Sequence, residues 1–374
     1  MSQRIFNTLL FLILFVSLLS ISFLLILSIP ASMERFKTPT YYFFHQLFFG
    51  FIPGFFLCFV AYKINLEWLR KWSFVLILIN ILSLFLVFIP FLGITAGGAT
   101  RWLNFKFFSV QPAEFLKITT IIYLASWCSS HISKYNNSDW KYRLKKGSSF
   151  LHLLVPFAIF LGLISLGLYL QKDASTLFII LFTLTIIYFC ARAPLWHILF
   201  LFLLGVLFFF YLVKFEPYRW SRFLVFLNPY LDPLGKGYQL RQSLISIGSG
   251  GIFGKGLGMS SQKFDFLPQA MTDSIFAIIG EEFGLLGTAG LVIFFIFLFW
   301  LGYKIAKATH DMFRKLLAIG IVFYITLQAF INILSSIGFF PLTGVPLPFF
   351  SYGGSHLIVE FFSIGLLLNI AKKL

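Results

Sequence analysis

Residues 263–284 read KFDFLPQAMTDSIFAIIGEEFG, and within them a polar, proline-containing segment gives way to a strongly apolar one. The change occurs at Asp273. An acid at this border can face water while it lies against a membrane, where burial raises the pKa of a carboxylate and suits it to act as a general base. A helix cap is an equally good interpretation, since Asp and Thr are favoured just before a first helical turn and Thr272 could also cap.

The composition around this stretch is that of a membrane protein. Of 374 residues, 59% are hydrophobic and 11% are charged, and the mean hydropathy is +0.92, whereas soluble domains carry about 25% charged residues. We therefore predict an all-α, polytopic membrane protein with about ten transmembrane helices in one domain over residues 1–374. The predicted spans are 6–29, 42–62, 73–95, 112–132, 151–170, 174–191, 195–213, 274–301, 312–337 and 350–371.

The distribution of lysine and arginine predicts the orientation of the chain. With the N-terminus inside, most basic residues outside residues 214–273 fall in cytoplasmic segments. Both termini are then cytoplasmic, and 214–273 is a large outer loop. Within it, 238–247 are predicted to form a short helix on the membrane and the glycine-rich residues 248–258 to turn tightly. The net charge of +16 follows from topology and does not indicate nucleic-acid binding.

Two other site classes find no support in the sequence. The run GSGGIFGKG resembles a phosphate-binding loop, but Ser249 stands where glycine is required and Gly256 where Ser or Thr is required. The three cysteines lie in apolar runs without CxxC spacing, and the six histidines show no metal-ligand spacing. We therefore predict neither a nucleotide site nor a protein metal site.

Charged residues inside the predicted spans indicate buried ion pairs, because intramembrane charges are costly without a partner. Glu281 lies about 12 Å deeper than Asp273 along a helix, and we expect it to pair with a cation from another helix. Pro112 suits the first position of a helix, and Glu114 suits its first turn. Lys117, three residues further on, is expected to pair with Glu114.

Candidate substrate contacts lie on the predicted outer side. Arg101 precedes a span, so it is either an interfacial anchor or a cation that holds a phosphate. The same two interpretations apply to the outer-loop arginines Arg219, Arg222 and Arg241. Residues 344–355 combine prolines and glycines at a membrane edge, which predicts a re-entrant segment that lines a cavity and carries Ser351.

These motifs together resemble the SEDS family (shape, elongation, division and sporulation). The resemblance runs in order from about residue 40 to the end. Its motifs are GGATRWLNFKFFSVQPAEFLK (97–117), LQKDAST (170–176), GYQLRQSLISIGSGGIFGKGLG (237–258), FLPQAMTDSIFAIIGEEFGLLG (266–287) and PLTGVPLPFFSYGGS (341–355).

The resemblance implies a peptidoglycan glycosyltransferase that polymerises lipid II at the outer face of the bacterial cytoplasmic membrane. It implies that Asp273 is catalytic, that Glu114 and Lys117 form the family's acid–lysine pair and that Arg101 is its arginine before Trp. The implied partners are lipid II, a class B penicillin-binding protein transpeptidase and other division proteins. The opening residues and the 343–355 segment look closer to division members, which implies a location at the division septum.

The chain departs from the family pattern beside the catalytic candidate. Met271 and Ser274 flank Thr272 and Asp273 where members carry His and Phe, and Lys172 replaces a proline. The loss of the histidine removes a hydrogen-bonding neighbour of the acid. Three other functions stay open from sequence: a lipid II flippase, the elongation-type polymerase and a non-catalytic scaffold. No cofactor is assigned, and a dependence on divalent cations is left open.

Overall fold

The long apolar runs of the sequence form long helices in the computed structural model. This is the expected outcome in lipid, where each backbone group must find its hydrogen-bond partner within the protein. The structure describes residues 2–96, 98–105, 108–136, 150–194, 196–197, 199–205, 217–232, 235–264 and 266–374.

The principal helical segments within the described ranges number twelve. They are α1 (Ser2–Leu27), α2 (Ile29–Phe36), α3 (Tyr41–Lys63), α4 (Leu66–Leu86), α5 (Pro112–Asn136), α6 (His152–Leu170), α7 (Ala174–Cys190), α8 (Pro217–Leu227), α9 (Lys236–Ser249), α10 (Ile275–Ala308), α11 (Met312–Ser336) and α12 (Gly354–Lys372).

The predicted spans are largely matched by these helices. Among the described residues, seven helices are long and apolar enough to cross a membrane: α1, α3, α4, α6, α10, α11 and α12. Helix α7 is apolar but shorter, and α5 forms over the fourth predicted span. Part of the predicted span 195–213 lies outside the described residues, although 199–205 are helical.

Two predicted spans were wrong by seven residues or more at an end. The span predicted over 274–301 ends too early, because α10 runs over Ile275–Ala308. The third span was predicted over 73–95, but α4 runs over Leu66–Leu86. It begins early because Asn65 caps it and accepts a hydrogen bond from the Glu67 N–H at 3.0 Å, so charged residues fill its first turns. It ends early because the chain then enters a small sheet.

That sheet was not predicted from the sequence. Strands β1 (Gly93–Ala96), β2 (Ala99–Asn104) and β3 (Ser109–Val110) form an antiparallel sheet in chain order. In the register, Gly93 faces Leu103, and Leu103 faces Val110 on the other side. The sheet ends directly before α5 and therefore fixes where Arg101 lies.

The helices differ in how deeply they are buried. In the most apolar windows of α11 and α12, 78% of residues are buried, compared with 22% in α3 and 28% in α4. Helix α12 packs against α3, α11 packs against α10 and α5, and α5 packs against α4 and α7. Helices α5, α11 and α12 thus form the centre of the bundle, and the candidate site lies at one end of them.

The predicted outer loop contains more helix than expected. Within 214–273 the structure has α8 and α9, and α9 covers the predicted short helix 238–247. Helix α9 packs against α10. The glycines at 251, 254, 256 and 258 adopt positive φ, which confirms the predicted tight turns.

Candidate active site around Asp273

Asp273 lies two residues before α10 and does not cap it. The N-cap position is Ser274, and its side chain makes no capping hydrogen bond. The Asp273 carboxylate instead accepts hydrogen bonds from Gln239 Nε2 at 3.4 Å and from Thr272 Oγ1 at 3.2 Å. Neither Asp273 nor Thr272 therefore caps the helix. The Asp273 carboxylate is half-buried and is not held in a capping hydrogen bond.

The surroundings of Asp273 push its pKa in two directions. Burial raises the pKa of the carboxyl above its ordinary value, and this is the largest effect. Hydrogen bonds from its own backbone, Gln239 and Thr272 lower the pKa, as does the positive charge of Arg222. Because the net direction is upward, the group is a better proton acceptor than an exposed aspartate.

Residues 342–355, here called the 342–355 segment, are non-helical up to Gly353 and then enter α12, and they hold the backbone beside Asp273. Ser351 is 1% exposed. Its hydroxyl donates to the Thr272 carbonyl at 2.5 Å and accepts from the Leu347 N–H at 2.7 Å. The structure therefore places Ser351, a predicted site residue, behind the site as a support for the chain at Thr272.

Asn332 of α11 makes a second link between the two segments. Its side-chain amide donates to the carbonyls of Asp273 and Val345, each at 2.8 Å. On the carboxylate side lies Gly344, with a φ of +71°. A Cβ there would be 3.7 Å from Asp273 Oδ2, so this glycine leaves room beside the acid.

The outer-loop arginines occupy different surroundings. Arg222 of α8 donates to the Leu342 carbonyl at 2.8 Å, and its charge acts on the candidate base. The guanidinium of Arg241 lies 5.3 Å from the ring centroid of Tyr230. The side chain of Arg219 lies outside the described part of the structure. Of the two arginines whose side chains the structure describes, Arg222 is therefore the one that lies near the acid.

Arg101 is held by the turn that precedes α7. Its Nε donates to the Gln171 carbonyl at 3.3 Å and its Nη2 to the Lys172 carbonyl at 2.6 Å. This turn adjoins the 342–355 segment, because Ser175 Oγ donates to the Thr343 carbonyl at 2.6 Å. Lys172 has a φ of +57°, which a proline cannot adopt, so this departure from the family pattern fits a different turn.

The predicted pair of Glu114 and Lys117 is confirmed. Lys117 Nζ lies 2.7 Å from Glu114 Oε2, and both side chains are almost fully buried. Lys117 also donates to Gln328 Oε1 at 2.7 Å, and Gln328 donates to the Pro346 carbonyl at 3.1 Å and to Glu360 Oε1 at 3.4 Å. The ion pair therefore lies beneath the 342–355 segment and is joined to it.

Glu281 has the expected cation, but that cation does not come from a helix. Lys255 Nζ lies 2.7 Å from its Oε1, and Lys255 belongs to the glycine-rich segment. The hydroxyls of Ser246, Ser260 and Ser261 also donate to the Glu281 carboxylate. Glu281 is thus fully occupied in holding the outer loop and is not brought to Asp273.

The polar side chains that organise the site were not predicted from the sequence. Three of them could have been predicted, because a polar residue inside an apolar helix is costly unless it has a partner. They are Gln328 and Asn332 in α11 and Glu360 in α12. Gln239 had no such signal, since it lies in a polar loop. Within the described residues, no three His, Cys, Asp or Glu side chains are grouped closely enough to hold a metal ion.

Comparison with known protein families and curated sequences gives matches over almost the whole chain. A model of the FtsW, RodA and SpoVE family, described as "Cell cycle protein", matches residues 7–374. The chain is 38% identical over 360 residues to stage V sporulation protein E of Bacillus subtilis (strain 168), covering 95% of this chain and 94% of that protein. It is 37% identical over 372 residues to the probable peptidoglycan glycosyltransferase FtsW of Pasteurella multocida (strain Pm70), covering 98% and 90%.

Solved structures share the fold. A chain from a study of "structural coordination of polymerization and crosslinking by a peptidoglycan synthase complex" superposes with a TM-score of 0.76 at 24% identity, covering 98% of this chain and 97% of that one. The rod shape determining protein RodA of Thermus thermophilus superposes with a TM-score of 0.67 at 23% identity, covering 98% and 96%. At these identities the structural matches establish the architecture.

Proposed function

Because this chain belongs to the FtsW, RodA and SpoVE family of multi-pass membrane proteins, we propose that it is an FtsW-type peptidoglycan glycosyltransferase that polymerises lipid II. Several relatives at 35–37% identity carry the name probable peptidoglycan glycosyltransferase FtsW. The observation on this chain that carries the proposal is the Asp273 carboxylate, which is half-buried, raised in pKa and not used as a helix cap.

In the proposed reaction, Asp273 accepts the proton from the 4-hydroxyl of the acceptor sugar. The hydroxyl oxygen attacks the anomeric carbon of the donor and inverts it, and undecaprenyl diphosphate leaves with the electron pair of the broken bond. The charge of Arg222 already acts on the Asp273 carboxylate. We therefore assign Arg222 to stabilise the negative charge that develops on the attacking oxygen. Two of the five N–H donors of Arg101 bind carbonyls, so the others can bind an anion. We assign Arg101, together with Arg219 and Arg241, to bind the diphosphate of the substrate.

We assign no metal-dependent step to the protein. The described residues contain no cluster of His, Cys, Asp or Glu side chains that fits a resident cation. We propose that a divalent cation, where the reaction uses one, binds together with the diphosphate of the substrate. Adding and chelating the cation in the polymerisation assay tests this proposal.

We further propose that the chain acts at the division septum with a class B penicillin-binding protein and other division proteins, with both termini cytoplasmic. A structural relative comes from a complex described as coordinating polymerization and crosslinking, and this supports a transpeptidase partner. The bias of lysine and arginine supports the orientation.

The test is polymerisation of labelled lipid II by purified Asp273→Asn, with Asp232→Asn as the control. Asp232 lies in the same outer loop, and its carboxylate accepts the Gly235 N–H, which an asparagine oxygen can still do. We expect Asp273→Asn to lose at least about 100-fold in rate, as is usual when a general base is removed, and Asp232→Asn to stay near wild type. Wild-type turnover by folded Asp273→Asn would end the assignment.

The same assay separates the polymerase from a flippase. With lipid II already on the outer face of a vesicle, a polymerase consumes it and a flippase does not. A scaffold would likewise leave it unchanged, and its function in cells would survive Asp273→Ala.

A further inference from the structure

A cleft with no part in the proposed reaction opens between α1 and α10. Its volume is about 600 Å³, which is within the usual range for a small-molecule site. It lies at the N-terminal end of α1, beside Arg4, and near the C-terminal end of α10, beside Lys304. Asp273 precedes the opposite end of α10, so this cleft lies far from the candidate active site.

Two cations line this cleft without an acidic partner. Arg4 is exposed and Lys304 is half-buried. Lys304 Nζ lies 3.4 Å from the ring centroid of Trp300. Among the described residues, no carboxylate forms an ion pair with either side chain, and no acid occurs in residues 2–10 or 296–308. The cleft therefore presents a positive charge that an anionic ligand would neutralise.

The remaining wall of the cleft is apolar. Phe297 and Trp300 stack with their ring centroids 5.3 Å apart, and Ile5 and Leu301 complete this side. A soluble anion would gain nothing from such a wall. A ligand that carries a phosphate at one end and hydrocarbon at the other would use both parts of the cleft.

The position of the cleft in the membrane indicates which kind of anionic ligand it binds. The charge bias predicts that this end of the bundle is cytoplasmic, and basic pockets between transmembrane helices on that side are suited to anionic lipid headgroups. We propose that the cleft binds an anionic phospholipid of the inner leaflet. Its phosphate lies between Arg4 and Lys304, and an acyl chain runs along Phe297 and Trp300.

The proposal is tested by native mass spectrometry of the purified full chain titrated with phosphatidylglycerol. The variant is Arg4→Gln/Lys304→Gln. The control is Lys71→Gln/Lys307→Gln, which removes the same charge from two exposed lysines outside the cleft. We expect the wild type and the control to retain one tightly bound lipid and the cleft variant to bind it at least tenfold more weakly. Equal losses in both variants, or none in the cleft variant, would overturn the proposal.

The chemical class is tested with two further ligands. Phosphatidylcholine supplies the phosphate and the acyl chains without the net negative charge, and sn-glycerol 3-phosphate supplies the charge without the chains. We expect neither to displace phosphatidylglycerol from the wild type at equal concentration. Displacement by either one would contradict an anionic lipid site. The result does not depend on catalysis, because the readout is bound lipid and Asp273 is untouched.

Discussion

At the scale of single residues, the pKa of Asp273 is set by a balance that only the folded chain creates. Burial raises its pKa, and the donors around it limit the rise. In its proposed role as general base, it must be deprotonated before it can accept a proton. The pH dependence of the reaction should therefore report on this balance directly.

We expect the polymerisation rate to fall as the pH drops through the raised pKa of Asp273, above the ordinary range of an aspartate. Gln239→Leu removes a donor to the carboxylate, so it should raise this pKa further and move the acid limb to higher pH. The control is Gln242→Leu, on the same helix. Rate profiles measured from pH 4 to 9 check this, and an unshifted acid limb in Gln239→Leu would contradict the role of Gln239.

Asp273→Asn should separate stability from activity. Because the pKa of Asp273 is raised in the folded state, the folded protein binds more protons than the unfolded one between the two pKa values, and its stability falls as the pH rises through that window. Above the window, Asp273→Asn should unfold at a higher temperature than the wild type, and below about pH 4 the difference should vanish. Thermal unfolding in detergent at several pH values measures this; a lower midpoint at pH 7 would contradict it.

The sequence predicted local partners well and distant ones poorly. Glu114 and Lys117 were paired correctly because helix geometry alone brings residues three apart onto one face. Gln239 and Asn332 reach Asp273 from 34 residues before it and 59 residues after it. No pattern along the chain encodes such distances, so these contacts depend on how the helices pack.

At the scale of elements, α10 is broken near its N-terminal end. Gly284 has a φ of +63° and a ψ of −155°. The glycine-rich segment supplies the missing hydrogen bonds. The carbonyls of Gly251 and Ile252 accept from the N–H groups of Leu285 and Leu286, and the N–H groups of Lys255 and Gly256 donate to the carbonyls of Glu281 and Glu282. A break in a membrane helix is tolerated where protein supplies the missing hydrogen bonds, and here the outer loop does so.

Gly284→Ala should be strongly destabilising. A Cβ at this position would lie 2.4 Å from the Gly254 nitrogen and 2.5 Å from the Ile252 oxygen, and the positive φ adds about 1–3 kcal/mol of strain. The control is Gly290→Ala in the same helix, where a Cβ meets nothing within 4 Å and alanine favours the helix by up to about 1 kcal/mol. Unfolding midpoints in detergent compare them, and equal effects of the two changes would refute this account.

Helix existence was predictable, but the ends and interruptions of helices were less so. Hydropathy located the spans because lipid demands long apolar runs. The break at Gly284 had no such signal, since no proline marks it and its neighbours Phe283 and Leu285 are apolar. The predicted span 73–95 ran into the first strand of the small sheet, because residues 87–92 continue the apolar composition of α4.

At the scale of the whole molecule, one buried polar network joins the three central helices to the site. Lys117 of α5 contacts Gln328 of α11, which contacts Glu360 of α12. Glu360 in turn accepts the N–H of Phe349 at 2.8 Å and lies 3.2 Å from His356. The network therefore sets the position of the 342–355 segment relative to the bundle, and through it the backbone at Asp273.

Removing only Lys117 from the buried ion pair should lower the free energy of unfolding more than removing both charges of the pair. Lys117→Met keeps the side-chain volume but strands the buried Glu114 carboxylate, which is expected to destabilise the fold by about 3–5 kcal/mol. Glu114→Gln/Lys117→Met leaves no buried charge behind at the pair and should recover part of that loss, as a double-mutant cycle of unfolding free energies would measure. The matched surface change is Glu67→Gln, whose carboxylate is 52% exposed beside Arg70 and Arg314 and should matter by less than about 1 kcal/mol. Additive effects of Glu114→Gln and Lys117→Met would mean that the two buried side chains are not coupled, and this would contradict the ion pair.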